Sequence, residues 1–288
     1  MFNDLHEYIP SDWRYYFDKD MLHKIVDNLN KYPVSDVLPR KHDIFKAFSY
    51  IKPIDVRVVI IGELIPCREY ANAIAYGMNG CNNESLIPFN DINRSCRNKL
   101  AQPPCLRSIL TELKREYNTC DTSTFNDTLI DWCKQGVLLI NNPLTCVVKR
   151  KNAHSHIGWN DIVIKLIDRL TYRQNKPLVL FAWNYTAYNV FTTVVNDWFP
   201  SMDFTYYTSP SFPDVYMIVT GDICDVSSKH GGRVKTGKIS INKRDKYVKI
   251  SKRNPFIGSN CFTISNHILR TYNIDNNDRS TVLTIKWI

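Results

Sequence analysis

Nowhere does the chain hold an apolar run long enough to span a bilayer, so nothing in it reads as a transmembrane helix. No CxxC pair occurs. The nine cysteines are scattered and odd in number, which argues against a zinc cage or a disulfide framework and for buried free thiols in a reducing compartment. The amino-terminal stretch MFNDLHEYIPSDWRYYF is rich in aromatics and has no signal-peptide pattern. These absences predict a soluble intracellular protein, nuclear or cytoplasmic, with no membrane partner and no metal or other cofactor. Acidic residues are in the minority, 28 against 37 Lys and Arg, for a net charge of +9. That balance suits a polyanionic partner, of which nucleic acid is the commonest, and suits an ordinary basic protein equally well.

With 288 residues, 44% of them hydrophobic, the chain can fill the core of one large domain or two small ones. Its organising stretch is Asp55 to Cys67. Val56 to Ile61 is a β-branched apolar run broken only by Arg57, and it ends at Gly62. Such a run is a buried parallel strand, and ligand sites in open α/β sheets lie beyond the carboxyl ends of such strands. The loop after Gly62 carries one carboxylate, Glu63, then Leu64-Ile65-Pro66.

The periodicity predicts helices over 18–32, 106–117, 126–134, 159–172, 184–198 and 261–269, and a helical turn over 44–48. Gln102-Pro103-Pro104-Cys105 opens the second of these helices. Further strands are expected at Gly136–Ile140, which ends in Asn141-Asn142-Pro143, at Leu178–Trp183, and at Phe204–Thr208, which ends in Ser209-Pro210-Ser211-Phe212-Pro213. Val282–Ile288 reads as a terminal strand. Alternating strands and helices predict a three-layer α/β/α fold around a central, mainly parallel four-stranded sheet. Val147–Gly158, with Lys149, Arg150, Lys151, His154 and His156, reads as an exposed basic loop.

Residues 214–252 read as a basic insertion in a single domain spanning 1–288. From Lys229 to Arg253 the bases include Lys235, Lys238, Lys243, Arg244 and Arg253, and the single acid is Asp245. Alternation in Lys238–Ile241 and Lys246–Ile250 predicts a β-hairpin. A run of charge is usually a solvated surface. Its place after a strand makes contact with phosphates an equal alternative.

Taken together, the strand ends resemble family 1 uracil-DNA glycosylases almost end to end. Leu38–Phe48 is similar to the family's run before its first strand, and Val58–Gly62 to VVIxG of the VVIxGQDPYH segment. Pro103-Pro104-Cys105-Leu106-Arg107 resembles PPSLR, and Trp132–Asn141 resembles WxxQGVLLLN. Ser155-His156 with Gly158-Trp159 resembles SHxxxGW, and Phe256–Phe262 with Asn266 resembles FFGCRHF and the asparagine of the following helix. The family flips uracil out of DNA into a pocket at the strand ends, because a stacked base cannot be reached otherwise.

The resemblance implies a base pocket of Gly62, Glu63, Leu64, Tyr76 and Asn141. Asn141 stands where the uracil-reading asparagine belongs, and its amide offers both a donor and an acceptor. Tyr76 stands where a phenylalanine stacks on the base. Pro103, Pro104 and Cys105 fit the phosphate-pinching loop, with Cys105 in place of a serine. His156 matches a DNA-facing histidine. The catalytic positions depart from the pattern. Leu64 replaces the water-orienting aspartate, and Ser209, ahead of Pro210 and Ser211, is read in place of the histidine that stabilises the leaving uracil anion. Loss of a positioned acid–base group costs about 10²–10⁴ in rate. Glu63 is the one candidate to act in place of the aspartate.

Three functions follow. The first is a DNA-binding homologue, impaired or inactive as an enzyme, that serves viral DNA replication or repair by holding single- or double-stranded DNA or a polymerase partner, in the nucleus or a virus factory. Viral members of the family include proteins of this kind, and the composition is similar to that of a fast-evolving viral relative. The second is an active glycosylase of base excision repair with a rebuilt site. The third is a protein-interaction module with no DNA role.

Overall fold

The computed structural model describes residues 1–63, 73–78, 86–88, 104–119, 124–150, 152–173, 176–202, 205–223, 240–241, 248–249, 256–275 and 284–288. Its centre is one sheet. In chain order the strands are β1 (Val58–Gly62), β2 (Val137–Asn141), β3 (Leu178–Ala182), β4 (Phe199–Pro200), β5 (Tyr207–Thr208) and β6 (Val215–Val219), arranged β2-β1-β3-β6-β5-β4. The four-strand unit β2-β1-β3-β6 is parallel throughout, and the short β5 and β4 extend it antiparallel. Every residue of β1, β2 and β3 is buried. A strand covered on both faces has no polar face to show, which is why these segments read as continuous apolar runs.

The helices are α1 (Lys19–Leu29), α2 (Lys46–Ser49), α3 (Pro104–Tyr117), α4 (Ile130–Lys134), α5 (Trp159–Thr171), α6 (Tyr185–Val194) and α7 (Cys261–Asp275). α6 lies against β1 and β3, with α5 on α6 and α1 on α5; α2 and α4 lie against β2, and α3 against α7. The Asp18 carboxylate caps α1 by accepting from the Asp20 and Met21 amides, each at 3.1 Å, and takes the Lys165 ammonium of α5 at 2.6 Å. On α5, Ile162, Val163, Leu166, Ile167 and Leu170 form the buried stripe expected of an amphipathic helix. Shorter antiparallel pairs join Val37–Leu38 to Cys146–Val147, Leu86–Pro88 to Thr124–Asn126, and Ser240–Ile241 to Val248–Lys249. The last is the expected hairpin pairing.

Several expectations are corrected. The fourth parallel strand is β6, not Phe204–Thr208, and it lies inside the segment assigned to the basic insertion. Among the described residues of the expected strand, Tyr207–Thr208 is paired, and it runs antiparallel to β6. Residues 126–134 are not one helix: Thr124–Asn126 is a strand and α4 begins at Ile130. His154 is fully buried, not part of an exposed loop. Cys133, Cys146 and Cys261 are buried free thiols, whereas Cys105 is disulfide-bonded.

Residues 284–288 form no strand. Side chains satisfy the tail's backbone instead. Asn266 donates to the Ile285 carbonyl at 2.9 Å and accepts from its amide at 2.8 Å, and Gln135 accepts from the Lys286 amide at 2.7 Å. This holds Trp287 edge-on to Trp132, ring centroids 4.8 Å apart, with the Trp132 indole N–H on the Trp287 carbonyl.

Candidate functional site

β1 and β2 run in register, Gly62 beside Asn141, so the glycine and the amide emerge together at the carboxyl edge of the sheet. The next turn brings Ala75 and Tyr76 back over them. A Cβ placed on Gly62 would stand 2.9 Å from the Ala75 Cβ and 3.3 Å from both the Asn141 Oδ1 and a ring carbon of Tyr76. Three of the expected pocket residues therefore converge, packed so closely around Gly62 that a side chain there would collide with its neighbours. Asn141 is 3% exposed, and among the described residues its side-chain amide has no hydrogen-bond partner. An amide so placed offers a ligand one donor group and one acceptor.

Tyr76 is held in left-handed backbone, φ 64°, an uncommon conformation for a bulky residue. Asn184, the residue that caps α6, fixes its ring. The Asn184 amide donates to the Tyr76 hydroxyl at 2.9 Å and to the Ile61 carbonyl at 2.8 Å, and its Oδ1 accepts from the Ala187 amide at 2.8 Å. Trp183 lies behind the tyrosine, ring centroids 6.0 Å apart. Burial pushes the Tyr76 hydroxyl pKa strongly upward, the Asn184 hydrogen bond counters it, and the charges of Asp222 and Glu63 add to the rise. Tyr76 is therefore a neutral aromatic plate. Glu63, beyond β1, and Asp222, beyond β6, are the exposed carboxylates whose charge reaches it.

Asp222 was not among the expected site residues, because the strand before it was misplaced. The carboxyl end of the fourth parallel strand is Thr220-Gly221-Asp222-Ile223. The resemblance puts the leaving-group histidine at that end, and the residues there include none. Ser209, Pro210 and Ser211 follow β5, which is antiparallel to β6, so they sit at the opposite, amino end of the sheet. Their contacts there are local: the Ser209 and Ser211 hydroxyls both donate to the Asp197 carboxylate, and Ser209 Oγ accepts from the Phe212 amide. These three residues are not brought to the pocket.

Cys105 stands in the first turn of α3, which begins at Pro104. His156 is exposed in the turn before α5. Two positions before it, His154 Nδ1 meets the Thr145 hydroxyl at 2.8 Å, and that hydroxyl accepts from the Trp159 indole at 2.6 Å. Burial lowers the His154 pKa to about 4, so the ring is neutral near pH 7. Leu64, Pro103, Lys235, Lys238, Lys243, Arg244 and Arg253 lie outside the described residues. The roots of the basic segment are described, and both rest on Trp183. The Ile223 amide donates to the Trp183 carbonyl at 3.0 Å, and the Phe256 ring lies 5.1 Å from the Trp183 ring. Both described ends of the segment thus lie next to Trp183, whose ring neighbours that of Tyr76. Among the described residues no group of three or more His, Cys, Asp or Glu is placed to hold a metal ion, and no helix is long and apolar enough to cross a membrane.

No family model matches the chain. Among curated proteins, it is similar to the uracil-DNA glycosylase of Mycoplasma genitalium, 26% identical over 227 residues that cover 75% of this chain and 82% of that protein. It is 30% identical to the Bacillus cereus uracil-DNA glycosylase over 172 residues, 59% of this chain and 68% of that one. The crystal structure of mimivirus uracil-DNA glycosylase superposes with a TM-score of 0.65 at 18% identity, covering 93% of this chain and 86% of that one, a likeness of fold.

Proposed function

Because the chain belongs to the uracil-DNA glycosylase family, we propose that it binds DNA through a base-accepting pocket at the carboxyl edge of its sheet and that its hydrolytic activity is impaired or lost. The observation that carries this is the Asn141 amide: buried, without a side-chain hydrogen bond among the described residues, and close beside Gly62 and the Tyr76 ring. An edge-reading amide and an aromatic plate are what an extruded pyrimidine needs. Hydrolysis needs more. Leu64 can neither hold a water nor take a proton, and no imidazole stands at Thr220–Ile223 to stabilise the departing anion. The role that fits a retained pocket, a lost acid–base pair and added positive charge is a DNA-holding factor of viral replication or repair, alone or with a polymerase partner.

Incubation with single-stranded, uracil-containing DNA tests this. The expected result is salt-sensitive binding with no abasic sites. Leu64→Asp together with Gly221→His is expected to raise release if the pocket is otherwise intact. Robust release by the unaltered protein overturns the reading.

A second reading is favoured by one observation, the two carboxylates that act on Tyr76. In an enzyme with a rebuilt site, Glu63 or Asp222 orients the attacking water. Release would then fall by about 10²–10⁴ in Glu63→Gln or Asp222→Asn, with DNA binding kept.

A further inference from the structure

At the amino end of the sheet, remote from Asn141, a cavity of about 640 Å³ opens between the segment Pro10–Trp13, the turn Ser49–Lys52 and the start of β1 and β2. That volume falls within the usual range for small-molecule sites, about 300–1,000 Å³. One residue makes it unusual. Arg57 is the charge that interrupts the apolar run leading into β1, and it lines this cavity. Its aliphatic stem packs against Gly136, where an added Cβ would stand 3.2 Å from the Arg57 Cγ and Cδ. Gly136 has φ 106°, open to glycine and strained for other residues, so the stem has a fixed bed.

The guanidinium is half-buried, and among the described residues none of its donors makes a hydrogen bond or a direct ion pair. Burial lowers its pKa and the Asp55 carboxylate partly offsets that at longer range. Lys52 and Lys134 line the same cavity with the acids Asp12 and Asp55, and Lys134 also stands 3.9 Å from the Asp131 carboxylate in an exposed pair, which leaves Arg57 and Lys52 as its cations without an ion pair among the described residues. The opposite wall is fixed by Gln135, whose amide donates to the Asp131 and Lys286 carbonyls at 2.9 and 3.1 Å.

We propose that this cavity is a phosphate-binding site, with Arg57 as its bidentate anchor and Lys52 and Lys134 as flanking cations. A planar guanidinium with unused donors matches two oxygens of a phosphate, and a charge-assisted pair of this kind is stronger than a neutral hydrogen bond. The phosphate can be free or esterified to a small organic body, for which the cavity has room. The site is separate from the base pocket and does not depend on the function proposed above.

Calorimetric titration of the full chain with sodium phosphate and with adenosine monophosphate, at low ionic strength, tests it. Saturable binding at one site is expected for phosphate. Tighter binding of the monophosphate identifies an esterified ligand, and equal or weaker binding identifies the free anion. Arg57→Gln is expected to weaken phosphate binding at least about tenfold, and Lys52→Gln with Lys134→Gln about threefold, both lysines being exposed and safe for folding. Asn141→Ala leaves it unchanged. The proposal is overturned if neither probe saturates, if the folded Arg57→Gln or the lysine variant binds phosphate as tightly as the unaltered protein, or if a short DNA duplex displaces the phosphate stoichiometrically, which would place the anion in the DNA groove.

Discussion

Asn141 and Asn184 are both buried asparagines at strand ends, and they stand in opposite relations to stability. Asn184 spends its whole amide on the fold: two donations, to Tyr76 and Ile61, and one cap. Asn184→Ala removes them and is expected to cost about 2–3 kcal/mol of unfolding free energy in urea, from the lost cap and the buried oxygens left without a donor. Among the described residues the Asn141 side chain makes no such bonds. Asn141→Ala is therefore expected to change stability by less than about 1 kcal/mol, while preference for uracil-containing over ordinary single-stranded DNA disappears. A large stability loss in Asn141→Ala would show the amide to be structural. His154 supplies the residue-scale pH effect. Its folded pKa, about 4, lies below the ordinary value, so the unfolded chain binds the extra proton first. The stability it supports is complete above about pH 6.5 and lost as pH falls toward 4, on the order of 2 kcal/mol.

At the scale of elements, α3 grips the segment that returns from the basic stretch. Glu112, fully buried, accepts from the Gly258 and Asn260 amides at 2.7 and 2.9 Å, and Glu116 accepts from the Phe262 and Thr263 amides at 3.3 and 2.7 Å, taking over the open N–H groups at the start of α7. Burial raises the Glu116 pKa to about 7, and Glu112 beside it adds to the rise. A raised carboxyl works in the opposite sense to His154: its contribution is complete below about pH 4.5 and lost as pH climbs through 7. The two windows overlap. Urea midpoints of His154→Gln should therefore fall more steeply than those of the unaltered protein as pH rises from 4.5 to 7, and those of Glu116→Gln more steeply as it falls. Identical slopes in all three would refute the assignment.

The same scale separates what could be read from the residues and what could not. β1, β2 and β3 were legible because burial on both faces leaves an apolar run with glycine or asparagine at its end. β6 was missed in favour of the aromatic run ahead of it. The signal was the spacing: Ser209–Asp214 is too short for a parallel crossover, which takes about a dozen residues or more, so a strand on either side of it must pair antiparallel. That one rule moves Ser209 to the far end of the sheet and brings Asp222 to the site. The Asn184–Tyr76 bond joins positions 108 apart and leaves no local trace. His154 is surrounded by bases in sequence, and tertiary contacts bury it, among them the Thr145 hydroxyl and the Tyr32 ring, 4.8 Å away between centroids.

For the whole molecule, the placement of charge matters more than the net +9. The basic stretch is rooted at Ile223 and Phe256, both on Trp183, which itself backs Tyr76. Bases rooted there can reach phosphates on either side of an extruded nucleotide, whereas the same charge scattered over the surface would only raise non-specific attraction. Each phosphate neutralised releases counterions, so the logarithm of affinity falls with the logarithm of salt by about 0.9 per contact on duplex and about 0.7 on single strands. Changing Lys235, Lys238, Lys243 and Arg244 together to Gln should flatten that slope by about 3 on single-stranded DNA and leave the unfolding midpoint unmoved. Fluorescence anisotropy between about 50 and 200 mM salt reads the slope. An unaltered slope would mean that this charge faces solvent, and that the cations holding DNA lie elsewhere on the carboxyl edge, with His156 and the start of α3 the next to change.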